Sequence, residues 1–267
     1  YFAGEPRLKD GTPVAIGLNI GARMDKDAIE VCSFVGLFRT EFLYMESERL
    51  PAEMEQFAVY RAVLEQAKGR PVTLRTLDVG GDKTLPALPL PKEDNPFLGC
   101  RALRLCLEKR ELFLTQLRAA LRASAYGKLQ IMFPMVGSLD DLRLAKEALE
   151  EARAQLRGQQ IPFDEAMPVG IMIEIPSIAL VAEAVAAECD FASIGTNDLC
   201  QYLHAADRMN AQVTGYYQSF SPAMFRAIKM VLDAFNAKHK PVSVCGEMAG
   251  SALAAPALAG LGLRKFS

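Results

Sequence analysis

Val169-Gly170-Ile171-Met172-Ile173-Glu174-Ile175, a helix-length stretch over 178–188, and then Phe191-Ala192-Ser193-Ile194-Gly195-Thr196-Asn197-Asp198 decide the fold of this 267-residue chain. Two apolar runs of strand length enclose one helical segment, which is the connection parallel strands require. Both runs break off at a carboxylate. Moving outward, the same alternation recurs. Towards the N-terminus the pattern predicts strands over 14–19, 34–38, 72–77 and 129–135, with helices over 26–32, 52–69, 98–107, 111–122 and 139–156. In the helix over 52–69, the apolar positions Met54, Phe57, Ala58, Val59, Ala62, Val63 and Ala67 fit one face at a 3.6-residue period. Towards the C-terminus a helix over 222–237, a strand over 242–245 and a helix over 252–258 follow, and Phe266-Ser267 opens an eighth strand.

Seven strands alternating with helices, and the start of an eighth, predict a TIM (β/α)8 barrel truncated near the eighth strand. Residues 1–267 read as one domain, in keeping with the roughly 250 residues such barrels need. A doubly wound open sheet is the alternative, but no GxGxxG follows a strand, and Gly17 to Gly21 opens no phosphate-binding helix. The segment over 80–96 interrupts the rhythm with glycines and prolines and is too long for a plain connection, which suggests a loop that serves a site.

Composition narrows the class of function. Hydrophobic residues make up 51% and charged residues 23% of the chain, and the formal net charge is −2, so there is no basic field for nucleic acid. Six cysteines, at 32, 100, 106, 189, 200 and 245, show no CxxC spacing, and His204 and His239 are the only histidines, which argues against a structural zinc. Scattered thiols, no signal peptide and no apolar run of membrane-spanning length predict a cytoplasmic protein. The chain begins without methionine and stops as a strand starts, so it reads as a piece of something longer.

In a barrel, the C-terminal ends of the strands face one pocket. Those ends carry Arg39, Arg75, Glu174, Asn197-Asp198 and Cys245, with Lys83 and Arg101 nearby and Arg208 ten residues past Asp198. Glu174 lies in an otherwise apolar run, where an unpaired carboxylate is costly. A cation would relieve that cost, as would a buried ion pair with an arginine. Together with Asp198 it offers two acidic ligands from neighbouring strands, which suits Mg²⁺ or Mn²⁺ completed by water and substrate oxygens. The Gly195-to-Asp198 stretch reads equally as a tight glycine turn with a helix cap. Arg39, Arg75, Arg101 and Arg208 are candidate anion clamps, with Arg101 placed on the first turn of a helix entered through Asn95-Pro96. Cys245 is either a buried core thiol, the more frequent fate, or a proton donor facing the pocket.

Five segments together resemble a known family: Gly36-Leu37-Phe38-Arg39-Thr40-Glu41-Phe42-Leu43, Leu77-Asp78-Val79-Gly80-Gly81-Asp82-Lys83, Asn95-Pro96-Phe97-Leu98-Gly99-Cys100-Arg101, Ser193-Ile194-Gly195-Thr196-Asn197-Asp198-Leu199-Cys200-Gln201-Tyr202 and Cys245-Gly246-Glu247-Met248-Ala249-Gly250. Their order and spacing resemble the phosphoenolpyruvate-binding domain of Enzyme I, the phosphoenolpyruvate-protein phosphotransferase of the bacterial sugar phosphotransferase system, or of a multiphosphoryl transfer protein paralogue. The resemblance implies that Glu174 and Asp198 bind Mg²⁺, that Arg39, Arg75, Asn197, Asp198 and Arg208 contact phosphoenolpyruvate, and that Arg101 and Lys83 support the phosphoryl group. It also implies that Cys245 exchanges a proton with C3 of the pyruvate enolate, which overrides the core reading of that thiol. Pyruvate phosphate dikinase and phosphoenolpyruvate synthase share this kind of site, and a sensing module without transfer activity is the non-enzymatic alternative. The implied partners are phosphoenolpyruvate and pyruvate, a phosphohistidine domain, a phosphocarrier protein and a second copy of the chain. Nothing in the sequence matches the family's histidine-bearing segment, Ser251 stands where the relatives usually carry Asp, and Arg264-Lys265 stands where they carry an acidic pair.

Overall fold

The computed structural model describes residues 5–21, 23–45, 48–81, 83 and 85–267; Asp82 of the quoted Gly-Gly-Asp-Lys stretch and Tyr1 to Gly4 fall outside them. Eight parallel strands close into a barrel in sequence order: β1 Ala15–Ile20, β2 Phe34–Arg39, β3 Val72–Arg75, β4 Leu129–Phe133, β5 Val169–Ile173, β6 Phe191–Ile194, β7 Val242–Val244 and β8 Lys265–Phe266. The strands are short and mostly apolar, and helices cover the outer face, as parallel sheets require. The eighth strand has two residues, and they suffice to close the ring: Lys265 and Phe266 pair with Ala15 and Ile16 on one side and with Ser243 and Val244 on the other.

The main core lies between barrel and helices, where Val35, Leu74, Ile131, Phe133, Ile171 and Ile194 are buried against Phe113, Leu117, Ile228 and Phe235. A smaller cluster of Leu37, Met132, Met172, Phe191 and Cys245 fills the barrel interior. Large side chains meet glycines there. A Cβ on Gly17 or Gly170 would lie 2.5 and 2.6 Å from the rings of Phe34 and Phe191, so these two strands carry no side chain where the rings cross the lumen.

Three local features differ from the sequence-based expectations. The helix over 178–188 is two pieces, Pro176–Ala179 and Ala182–Glu188, separated at Leu180-Val181. Arg101 does not sit on a helical turn: a 3-10 turn over Pro96–Leu98 ends before it, and Ala102, at φ +51°, reverses the chain before the helix Leu103–Glu108 begins. Finally, the residues after β6 are helical. Gly195 caps Thr196–His204, so Asn197 and Asp198 occupy the first turn, where the helix dipole favours a carboxylate.

Candidate functional site

Every site residue predicted from the sequence lines one cavity of about 140 Å³ at the C-terminal ends of the strands. Arg39 and Arg75 are the last residues of β2 and β3 and are paired across the sheet. Glu174 and Cys245 each follow the last residue of their strands, β5 and β7, and Asp198 comes from the helix after β6. Five cationic side chains (Arg39, Arg75, Lys83, Arg101 and Arg208) face three carboxylates (Asp78, Glu174 and Asp198). A larger groove of about 900 Å³ lies on the outer helices against Leu180, Val181 and Met230, away from this charge, so volume does not mark the chemistry here.

Four of the five cations are held by carboxylates. Buried Arg75 donates through Nη2 to Glu41 Oε1 and reaches Asp78 Oδ2 through Nη1 at 2.9 Å. Arg101, also buried, donates through Nη2 to Asp78 Oδ1 at 3.0 Å and to Asp198 Oδ2 at 3.3 Å. Lys83 Nζ reaches Glu41 Oε1 at 3.3 Å, and Arg208 Nη1 stands 3.3 Å from Asp198 Oδ1. No hydrogen bond or ion pair with the described residues engages Arg39, which is exposed at the cavity mouth. Burial alone would push the Asp78 carboxyl up, but the Arg75, Arg101 and Lys83 cations hold it well below the usual carboxylate range.

Glu41 and Asp78 were not among the predicted site residues, although both are central to this wall. The signal was a carboxylate two or three residues past each strand end, in Arg39-Thr40-Glu41 and Arg75-Thr76-Leu77-Asp78. A buried amide fixes both segments: Gln116 accepts from the Leu77 N–H at 2.8 Å and donates to Thr40 Oγ1 at 3.0 Å, and Thr40 donates to the Arg75 carbonyl at 3.0 Å. The loop that follows needs its two glycines. Gly80 and Gly81 have φ of +100° and +66°, and a Cβ on Gly80 would lie 2.6 Å from Arg101 Cβ.

Glu174 is treated differently. It forms no ion pair with an arginine among the described residues; its Oε1 accepts the Met135 backbone N–H at 2.6 Å, and no donor reaches Oε2. Burial, then the neighbouring Asp198 and Asp78 charges, push its carboxyl up to about 8. Asp198 Oδ1 is buried and, despite the nearby guanidinium, receives no well-aligned hydrogen bond. Two carboxylates from adjacent elements, each with an oxygen lacking a donor, fit a hard cation that keeps several water or substrate ligands. Among the described residues there is no group of three or more His, Cys, Asp or Glu that would enclose a metal fully. Gly195 leaves room for this arrangement rather than turning the chain tightly: its φ is −83°, and a Cβ there would stand 2.8 Å from Glu174 Oε2.

Cys245 is buried beneath the cavity, and burial pushes its thiol up to about 11, so it is protonated at neutral pH. It is both core and pocket wall: the thiol packs with Leu37 and Met172 and also lines the site. His204 lies outside, with Nε2 2.8 Å from Ser221 Oγ, and neither it nor His239 lines the cavity.

The chain is 54% identical to the phosphoenolpyruvate-protein phosphotransferase of Priestia megaterium over 260 residues, and 53% identical to that of Bacillus subtilis (strain 168) over 271. These alignments cover 97% and 100% of the chain but 45% and 47% of the relatives, so the chain spans about half the length of the curated relatives it matches. A malate synthase from Haloferax volcanii shares the fold alone, with a TM-score of 0.58 at 12% identity over 94% of this chain and 65% of that one. A family model described as "PEP-utilising enzyme, PEP-binding domain" matches residues 4–267. By that match and by the identity of its relatives, the chain belongs to the PEP-binding domain family of PEP-utilising enzymes.

Proposed function

We propose that the cavity binds phosphoenolpyruvate (PEP) with Mg²⁺, and that the chain is the PEP-binding catalytic part of a phosphoenolpyruvate-protein phosphotransferase. In this reading the phosphoryl group passes to a histidine on a separate phosphohistidine domain and pyruvate is released, as the first step of sugar uptake and phosphorylation. The observation that carries it is the charge pattern: five cations converge on a small cavity that also holds Asp198 Oδ1, buried without a hydrogen bond, and Glu174, which has a donor on Oε1 alone. Such a cavity suits a small, strongly anionic ligand that arrives with a divalent cation. The names of the relatives support the choice of PEP. The same reading makes the protein a cytoplasmic homodimer whose next acceptor is a phosphocarrier protein; no helix among the described residues is long and apolar enough to cross a membrane.

Arg39, Arg75 and Arg208 would take the carboxylate and phosphoryl oxygens, and Asn197 would orient the ligand from the first helical turn. Arg101 and Lys83 would hold the transferring group, supplying positive charge where the transition state spreads negative charge. Mg²⁺ held by Glu174 and Asp198 would neutralise charge on the phosphate and carboxylate of PEP. As the imidazole nitrogen bonds to phosphorus, the bond from phosphorus to the enol oxygen breaks and its electron pair stays on the enolate. The Cys245 thiol, neutral at physiological pH, then gives its proton to C3 and recovers one from water, yielding pyruvate. Calorimetric titration with PEP, with and without Mg²⁺, tests the reading. Binding that depends on the metal is expected, and binding indifferent to it would overturn the site.

A further inference from the structure

We propose that Tyr202 and Phe97 are positioning residues that fix Arg101 and Arg208 against Asp198. Neither touches the reacting centre in the reading above, on which this inference rests.

Tyr202 lies one helical turn after Asp198 on the helix Thr196–His204 and therefore projects from the same face. Its hydroxyl donates to the Phe97 carbonyl oxygen and accepts from Arg101 Nη1 at 3.2 Å. Phe97 completes the arrangement. The Arg101 Cζ lies 5.6 Å and the Arg208 Cζ 5.8 Å from its ring centroid, within cation–π range of both. These are the two guanidinium groups that reach Asp198, each at 3.3 Å. One phenol and one phenyl ring thus stand behind both cationic partners of a single carboxylate.

The surroundings explain why such a tether matters. Cavities of about 330 and 250 Å³ lie beside this segment, and both are walled by Phe97, Leu98 and Tyr202. The 3-10 turn over Pro96–Leu98 has no side-chain cap. Arg101 Nε is buried without a partner, so the orientation of that guanidinium rests on its terminal nitrogens. Gly81 admits the ring: a Cβ there would come within 3.1 Å of Phe97 Cδ1. Removing the Tyr202 hydroxyl would leave the Phe97 carbonyl and Arg101 Nη1 without their shared partner, and the segment would be free to drift into the neighbouring space.

The test uses the 267-residue chain with Tyr202→Phe, Phe97→Leu and Phe97→Tyr. Tyr202→Phe should weaken Mg²⁺-dependent PEP binding about tenfold, the loss of one hydrogen bond to a charged group, with a modest fall in Tm because the Phe97 carbonyl loses its donor as well. In the ligand-free chain, ¹⁵N spectra should show an altered shift or faster solvent exchange for the Arg101 Nε–H in Tyr202→Phe. Phe97→Leu should disturb both Arg101 and Arg208, and Phe97→Tyr, which keeps the aromatic face, should restore them. Wild-type affinity in Tyr202→Phe, or unchanged arginine signals in both Tyr202→Phe and Phe97→Leu, would overturn the positioning role. If the wild-type chain binds no PEP, the functional reading falls, and the arginine spectra alone then decide the positioning role.

Discussion

Asp78, after β3, and Glu174, after β5, line the same cavity and are both buried, yet their surroundings drive them in opposite directions. Asp78 has three cations within 4 Å and is held ionised. Glu174 has one backbone N–H and two neighbouring carboxylates, and takes up a proton more readily than a free glutamate. One side of the pocket is thus complete in its charges without any ligand, and the other is the side where a cation is proposed to bind. The difference separates the part of the site that organises arginines from the part proposed to take the metal.

The largest expected effect comes from removing the complete side. Asp78→Asn keeps the shape but leaves Arg75, Arg101 and Lys83 facing a neutral amide, and breaking a buried pair of this kind costs about 3–5 kcal/mol. Urea unfolding at neutral pH should show that loss. The wild-type contribution of Asp78 has the sign of a depressed carboxyl: present above its ordinary value of 3.8 and lost as pH falls below it. A stability change under about 1 kcal/mol would mean that the arginines do not depend on Asp78 for compensation.

Glu174→Gln should act in the other direction. Because the folded-state carboxyl is raised from 4.5 to about 8, metal-free wild-type protein should lose stability as pH rises through that window, since the unfolded chain releases the proton first. The amide variant has no such slope, and in the presence of a chelator at pH 8.5 it should be more stable than wild type by up to a few kcal/mol. At pH 4 the two should be nearly equal. Added Mg²⁺ should stabilise wild type and leave Glu174→Gln nearly unchanged. Identical pH slopes in the two proteins would remove the contrast with Asp78.

The two sides were not equally legible in the sequence. Glu174 stood out because a carboxylate inside Ile-Met-Ile-Glu-Ile is chemically out of place. Asp78 and Glu41 did not, because a carboxylate in the loop just past a strand end is chemically ordinary, and each becomes central only when β2 and β3 pair and Gln116 ties their ends. The barrel was legible from alternation alone, and seven strands appeared within a residue or two of their places. Of the helix Thr196–His204 the sequence offered only the cap at Gly195 to Asp198, for a physical reason: Gly-Thr-Asn-Asp has poor propensity for a helix interior, and what continues it is tertiary, with Gly195 set against Glu174 and a Cβ on Gly246 only 1.8 Å from Thr196 Oγ1. Arg101 was misplaced because no local signal announces a non-glycine residue at φ +51°; Ala102 takes that conformation while its N–H donates to the Val79 carbonyl at 2.9 Å.

The smallest effect sharpens the comparison most, because it leaves every charge in place. Gly195 has ordinary backbone angles, φ −83° and ψ 85°, so alanine there carries no left-handed strain. Its Cβ would nevertheless fall 2.8 Å from Glu174 Oε2 and 3.1 Å from Met172 Sδ, which forces the carboxylate to shift. Gly195→Ala should therefore cost about 1 kcal/mol in stability and weaken Mg²⁺-dependent binding roughly tenfold. It should leave the acid limb governed by Asp78 untouched. Gly250→Ala is the matched control, since nothing lies within 4 Å of the added carbon. If Gly195→Ala bound metal and ligand like the control, the open space beside Glu174 would have no part in admitting the cation, and the incomplete side of the pocket would owe its character to charge alone.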